Sequence, residues 1–190
     1  MLRYLFQDIA QNGLLLFLRL LAWFWSFVTY SFCGFLLEGA RALWLGEPPD
    51  RRGLRTFPLC PVYGAGACLI LLLPGWVDAR PPLLFLLGGG AASLAEYLAA
   101  WYHAKVLGVS FGSYEGRPGN LRGRVCPLYS AAWGLLALGL VYVVHPALAP
   151  LLAAIPAPVG WTFLCAVALD GLLTALLLRR AGDPAALRRR

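Results

Sequence analysis

The sequence Cys60-Pro61-Val62-Tyr63-Gly64 returns later in the chain as Cys126-Pro127-Leu128-Tyr129-Ser130. Each copy follows a basic loop that contains glycine, and each begins an apolar run. The apolar run before each loop ends near a glutamate, which is Glu38 in the first copy and Glu96 in the second. This shared order of apolar run, glutamate, tryptophan, basic loop and Cys-Pro-x-Tyr motif indicates an internal repeat in one orientation. It predicts two parallel helix hairpins followed by one more helix.

The composition places the chain in the membrane. It has 190 residues, of which 60% are hydrophobic and 13% are charged, and its mean hydropathy is +0.69. A soluble domain has too little interior for so many apolar side chains, so lipid must cover part of them. The net charge of +7 sits between the apolar runs, which favours contact with anionic lipid headgroups and not with nucleic acid. The sequence therefore predicts an all-α integral membrane protein.

Five apolar runs set the domain organisation. They predict transmembrane helices at about 20–44, 61–77, 83–103, 127–144 and 159–178. Residues 1–13 place apolar side chains on one helical face, which predicts an interfacial amphipathic helix that Gly13 ends. His145-Pro146 is expected to close the fourth span. A single transmembrane domain, 14–179, then leads to a basic tail, 180–190.

The arginines and the lysine define a topology. With five spans, the first loop, the third loop and the tail share one side, and that side holds Arg41, Arg51, Arg52, Arg55, Lys105, Arg117, Arg122, Arg124 and the arginines from 179 onward. Arg3 and Arg80 lie on the other side, with Arg19 near its edge. The positive-inside rule makes the crowded side cytoplasmic. We expect the N-terminus outside, the C-terminus inside, and both repeat motifs on the cytoplasmic side.

The two repeated glutamates are the first candidates for function. Each is expected one to two turns inside the inner interface, where an ionised carboxylate is costly unless it pairs with a cation or lines a polar cavity. Arg52 and Arg124, near the starts of the second and fourth spans, are the expected partners of Glu38 and Glu96. A purely structural ion pair that locks each hairpin is an equal alternative.

The third loop is the second candidate. Its sequence, FGSYEGRPGNLRGR at 111–124, combines glycines with Arg117, Arg122 and Arg124. Backbone N–H groups flanked by arginine can bind a phosphate or carboxylate, so we expect a headgroup or anion site here. A mobile loop whose arginines only set topology is the alternative. The loop lacks the Gly-Lys-Ser/Thr of a nucleotide-binding loop, so the chain is not expected to hydrolyse ATP itself.

The remaining candidates are a metal site, a catalytic nucleophile and a proton relay. Cys60, Cys126 and His103 lack metal-ligand spacing, and a cysteine before proline is explained as a helix start. No nucleophile stands out, so neither a metal, a cofactor nor an enzymatic activity is predicted. Asp170, inside the fifth apolar run, is expected to cap a polar packing seam, with a proton relay left open.

At these positions the chain resembles a family of bacterial membrane proteins described as "putative ABC-transporter type IV" or as ABC transporter permeases. The residues that carry the resemblance are Gly34 with Glu38, Arg52-Gly53, Cys60 to Gly64, Glu96-Tyr97 with Trp101, Tyr114, Asn120 to Cys126, Trp133-Gly134 and His145-Pro146. Two positions depart from the family pattern: no acid precedes Tyr114, and Phe57-Pro58-Leu59 replaces Gly-Pro.

The resemblance implies a permease subunit in a bacterial-type inner membrane that needs a separate ATPase, which would dock on the third loop. A homodimer or a second membrane subunit is also implied, because five spans are few for a transport path. The expected ligand cavity comprises Glu38, Arg52, Cys60, Tyr63, Glu96, Tyr114, Asn120, Arg124, Cys126 and Tyr129. Two alternatives stay open: a non-transporting protein that binds anionic lipid or scaffolds a partner, and a lipid-modifying enzyme that uses the glutamates as acid and base.

Overall fold

The fold is described by a computed structural model that covers residues 2–46 and 53–187, with side chains from residue 18 onward. In this part of the chain the elements are α1 (Leu2–Leu45), α2 (Pro61–Leu71), α3 (Gly75–Asp78), α4 (Pro81–Tyr102), α5 (Pro127–Gly139), α6 (His145–Ala153) and α7 (Ala157–Ala181). Four stretches are long and apolar enough to span a membrane: Leu18–Leu45, Pro81–Leu107, Pro127–Ala153 and Ala157–Ala181. Together with the short apolar α2, they confirm an all-α membrane fold.

Helix α1 does not break where the sequence predicted. It runs from Leu2 to Leu45 through Gly13, so the separate helix over 1–13 that Gly13 was expected to end is a wrong prediction. A single glycine in a helix costs only about 1 kcal/mol, and the apolar, helix-favouring residues on both sides of it carry the helix through.

The second predicted span is shorter than expected. Helix α2 has 11 residues and ends at Leu71, whereas the sequence predicted a helix over 61–77. Pro74 explains the early end, because a proline disfavours helical geometry in the residue before it. At 1.5 Å per residue α2 is about 16 Å long, roughly half of a hydrocarbon core.

An irregular loop, 53–60, leads into α2, and its last two residues are buried. The backbone N–H of Cys60, which caps α2, donates to the carbonyl of Ser31 (2.9 Å), in the middle of α1. Leu59 and Cys60 are 3% and 2% exposed. The chain therefore enters the helix bundle as the irregular loop 53–60 and continues as α2. Irregular backbone is tolerated at such a position when it is buried in protein or lines a cavity.

Helix α7 holds this loop through a carboxylate. The side chain of Asp170, 4% exposed, accepts hydrogen bonds from the backbone N–H groups of Thr56 (3.0 Å) and Phe57 (2.9 Å). One turn further along α7, the hydroxyl of Thr174 accepts from the N–H of Arg55 (2.9 Å). The structure confirms that Asp170 caps a polar packing seam.

The helices approach one another through glycines. Gly64 of α2 lies directly against the carbonyl of Phe27. Because Cys60 contacts Ser31 and Gly64 contacts Phe27, α2 runs antiparallel to α1. A Cβ at Gly89 of α4 would lie 2.8 Å from the Ser130 carbonyl of α5. Gly88 likewise faces Ala137, at 2.6 Å. Gly88 and Gly89 thus allow α4 and α5 to pack closely, and the hairpins α1–α2 and α4–α5 constitute the two repeats.

The fourth span continues past His145-Pro146, where the sequence predicted its end. A π-helical turn at Leu140–Val144 joins α5 to α6, and the helix continues to Ala153. The expectation that His145-Pro146 closes the span is wrong. A proline removes one helical hydrogen bond but is accommodated where a wider turn rearranges the bonding. His145 also contacts α1, where its Nδ1 lies 2.7 Å from the Tyr30 hydroxyl.

Candidate functional site

A cavity of about 1110 Å³ lies between α1, α2, α4, α5, α7 and the third loop. Both repeats contribute to its wall, through Glu38 and Tyr63 from the first and Glu96 and Tyr129 from the second. The parallel hairpins therefore bring the matching motif residues of the two copies to one place.

The first repeat's glutamate is held by a tyrosine and an arginine. The Tyr63 hydroxyl donates to Glu38 Oε1 (2.8 Å), and Arg41, one turn further along α1, pairs with Oε2 (3.1 Å). The Tyr63 ring reaches Glu38 because it lies directly on Gly34, where a Cβ would overlap the ring. Glu38 is thus both hydrogen-bonded and neutralised by a cation.

The second repeat's glutamate is held differently. Glu96 Oε1 accepts from the Tyr114 hydroxyl (2.7 Å), and Oε2 accepts from the indole N–H of Trp133 (3.0 Å). The expected ion pair between Arg124 and Glu96 is wrong, because Arg124 donates to the Tyr97 hydroxyl (3.0 Å) and lies over that ring. Among the described residues, Glu96 has neutral donors and no cationic partner.

Aromatic contacts connect the two glutamates. The ring centroids of Tyr63 and Trp133 are 4.7 Å apart, and those of Tyr114 and Tyr129 are 4.8 Å apart. We call these four rings the aromatic wall; it lines the cavity. The Arg117 guanidinium lies over the Tyr129 ring, 5.5 Å from its centroid, at the loop end of the wall. Contacts within about 6 Å are typical of cation–π interactions.

The third loop is folded upon itself. Tyr114 donates its backbone N–H to Gly123 (2.8 Å), and the Asn120 side chain accepts from the Gly123 N–H (2.9 Å). Leu121 and Val125 form a single antiparallel bridge. The N–H groups of Tyr114 and Gly123 are therefore used inside the loop. At its exposed tip, Arg122 adopts a positive φ of 54°, which is uncommon for a residue other than glycine.

The predicted site residues divide into three groups. Lining the cavity are Glu38, Cys60, Tyr63, Glu96, Tyr114, Arg117, Arg124 and Tyr129. Away from it are Asn120, which closes the third loop, Arg122 at the loop tip, and Cys126, which is 2% exposed. Arg52 lies outside the described residues. Cys60 and Cys126 cap α2 and α5, each directly before the first-turn proline, as the sequence predicted.

Sequence reasoning did not include Trp133 and Arg41 among the site residues, although both line the cavity and hold neighbouring groups. Trp133 lies four residues after Tyr129 on α5, and Arg41 lies three residues after Glu38 on α1. Residues at these spacings share a helix face, so helical periodicity carried a signal for both. Tyr97, whose hydroxyl accepts a hydrogen bond from Arg124, directly follows Glu96. Adjacent residues do not share a helix face, so helical periodicity gave no indication of its role.

A family whose description is "Putative ABC-transporter type IV" matches residues 25–175 of the sequence. This region contains both repeats, the third loop and every cavity residue up to α7 position 175. The chain belongs to this family. No curated protein and no solved structure matches it. The matched region begins in α1, just before Phe27, and includes Asp170 of α7.

Proposed function

We propose that the protein is a permease subunit of an ABC transporter in a bacterial-type inner membrane, and that its cavity takes the transported substrate. The observation that supports this is the convergence of both repeats on one cavity. Glu38 and Glu96 lie on its wall with the tyrosines of both Cys-Pro-x-Tyr motifs. Polar groups from a repeat interface, facing a cavity between helices, are the usual composition of a transporter's binding site.

The proposed orientation opens this cavity toward the cytoplasm. The third loop borders the cavity through Ser113, Tyr114 and Arg117, and the positive-inside rule favours a cytoplasmic position for that loop. The irregular loop 53–60 supports the same proposal, since Gly53, Leu54 and Cys60 line the cavity and non-helical backbone commonly lines transporter sites. A substrate would then meet the aromatic wall from the cytoplasmic side.

A separate ATPase would provide the energy, because the sequence has no nucleotide-binding loop of its own. The third loop is the proposed docking segment. Its tip exposes Leu121 (56%) beside Arg122, while Tyr114 at its base bonds Glu96 in the cavity. A movement of the docked loop would therefore reach the cavity through the Tyr114–Glu96 hydrogen bond. A homodimer or a second membrane subunit would complete the transport path.

Purification of the tagged protein from its native membrane, with mass spectrometry of what accompanies it, tests the proposal. We expect an ATPase subunit in stoichiometric amount. A retained anionic lipid without any ATPase would overturn the permease proposal in favour of a lipid-binding protein.

A pair of variants at the loop tip tests the docking segment. Leu121→Asn removes the exposed apolar side chain and should lower ATPase recovery at least about tenfold, the equivalent of about 1.4 kcal/mol. Leu121→Met keeps the apolar character and should leave recovery unchanged. Equal recovery with both variants would exclude this loop tip as the docking contact.

A further inference from the structure

The aromatic wall lies beside a carboxylate, Glu96, that has no cationic partner among the described residues. Four aromatic rings line one cavity together with a carboxylate that, among the described residues, accepts hydrogen bonds only from the neutral donors of Tyr114 and Trp133. The Tyr and Trp donors hold the carboxylate in place without cancelling its charge. A carboxylate accepts about four hydrogen bonds, so it keeps capacity for another partner.

We propose that the cavity binds an organic cation, a substituted ammonium or phosphonium ion, between Glu96 and the aromatic wall. This inference rests on the proposed function, because it names the substrate class of the same cavity. The electron-rich faces of aromatic rings attract cations, most strongly when water is excluded, and quaternary ammonium ions are recognised in this way. Trp133, which gives the strongest such interaction, is 8% exposed and touches both Tyr63 and Glu96.

The arginines of the cavity do not occupy this position. Arg41 pairs with Glu38, so its charge is largely compensated. Arg117 and Arg124 lie over the Tyr129 and Tyr97 rings. Tyr129 belongs to the aromatic wall, so one ring of the cavity already accepts a cation, while Tyr97 lies outside the lining. Glu96, between Tyr114 and Trp133, is the carboxylate left for a mobile cation.

Apolar side chains form a large part of the remaining lining of the cavity. Leu69, Leu98, Leu136 and Leu178 are among its lining residues, and the volume of about 1110 Å³ exceeds the size range typical of small-ligand sites. Apolar side chains around several rings and Glu96, the carboxylate that Arg41 does not neutralise, suit a cation with bulky hydrocarbon substituents. A small hydrated inorganic cation would find oxygen ligands in too few directions.

Two ions of equal size and shape but opposite charge test the inference. Tetraphenylphosphonium and tetraphenylborate are titrated into the purified protein in nanodiscs, with empty nanodiscs as the background. Tetraphenylphosphonium should bind saturably, and tetraphenylborate should neither bind saturably nor compete. Equal saturable binding of the two ions, or no saturable binding of tetraphenylphosphonium, would overturn the inference.

Matched substitutions locate the site. Glu96→Gln should weaken tetraphenylphosphonium binding at least about tenfold, Glu96→Asp should retain most of it, and Glu115→Gln, the same change at an exposed loop position, should leave it unchanged. Equal affinity in the Glu96→Gln and Glu115→Gln variants would overturn the assignment. If the Glu96→Gln variant does not fold, the binding of the two ions to the unaltered protein decides whether the cavity selects a cation.

These outcomes are separate from those of the permease proposal. Co-purification of an ATPase without tetraphenylphosphonium binding would overturn only the substrate class. Specific tetraphenylphosphonium binding in a protein that never associates with an ATPase would overturn only the ABC permease proposal and leave an organic-cation site.

Discussion

The Tyr63 ring lies 4.7 Å from the Trp133 ring, and this contact connects the glutamates of the two repeats. Tyr63 donates its hydroxyl to Glu38, and Trp133 donates its indole N–H to Glu96. The same motif position in the second repeat, Tyr129, does not bond Glu96. Tyr114 of the third loop takes that role, so the pseudo-symmetry of the repeats is broken at the point where the loop meets the cavity.

The Trp133–Glu96 hydrogen bond is expected to stabilise the fold. Trp133→Phe keeps most of the ring but removes the donor, and should lower the free energy of unfolding by about 1–3 kcal/mol. Combined with Glu96→Gln, a double-mutant cycle should give a coupling energy of about 0.5–3 kcal/mol. Unfolding in mixed micelles measures both values. Trp101→Phe, at an exposed position, is the control; an equal loss there would contradict the assigned role.

Asp170 is expected to hold the loop 53–60 against α7. Asp170→Ala leaves the Thr56 and Phe57 N–H groups without their acceptor, which should cost about 3 kcal/mol or more, because hydrogen bonds to a charged group are each worth roughly 1.5–3 kcal/mol. Asp170→Asn keeps one acceptor and should cost less.

The reaction rate of the Cys60 thiol reports whether the loop 53–60 is released from α7. It is 2% exposed beside the loop, so a maleimide should label it slowly in the parent protein and faster in Asp170→Ala. Asp183→Ala, at an exposed position, should not change the labelling rate. A Cys60 thiol that stays protected in the Asp170→Ala variant would contradict the anchoring role.

The close contact between α1 and α2 depends on glycine. A methyl group at Gly64 would overlap the Phe27 carbonyl and the Ser31 hydroxyl, whereas one at Gly90 of α4 would meet no atom within 4 Å. Gly64→Ala should therefore lower stability by about 1–3 kcal/mol, and Gly90→Ala should not. Thermal unfolding of the two variants in detergent compares them, and equal midpoints would refute the close approach.

The proposed topology is testable with introduced cysteines. Ser113→Cys places an exposed thiol on the third loop, and Ala79→Cys places one between α3 and α4. A membrane-impermeant maleimide should label Ala79→Cys in intact cells and Ser113→Cys only after the membrane is opened, with the parent protein as background. The reverse pattern would show the opposite orientation. The native Cys60 and Cys126 are unsuitable, since both are buried.

The sequence predicted the helices and the convergence of the motifs because both follow from local rules. Apolar length indicates the spans, proline at the first turn indicates the starts of α2 and α5, and a repeat in one orientation places Glu38 and Glu96 on the same side. These rules act within a few residues or through symmetry, so they are visible in one sequence.

The partners of the glutamates depended on packing that the sequence does not reveal. Charge alone favoured Arg124 for Glu96, but the donors are Tyr114 and Trp133, which the loop fold and the helix crossing place there. The length of α2 was overestimated for a local reason. Its apolar composition extends past Leu71, but Pro74 ends the helix early.

The measurement that tests the account most directly is ATP hydrolysis by the complex isolated from native membrane, with the wild-type subunit and with Glu38→Gln/Glu96→Gln. We predict that both forms retain the ATPase subunit in equal amount and that the double substitution changes the hydrolysis rate by at least about fivefold, because the cavity and the docked subunit are coupled. Equal rates in the two forms, or a complex without any ATPase, would contradict the account.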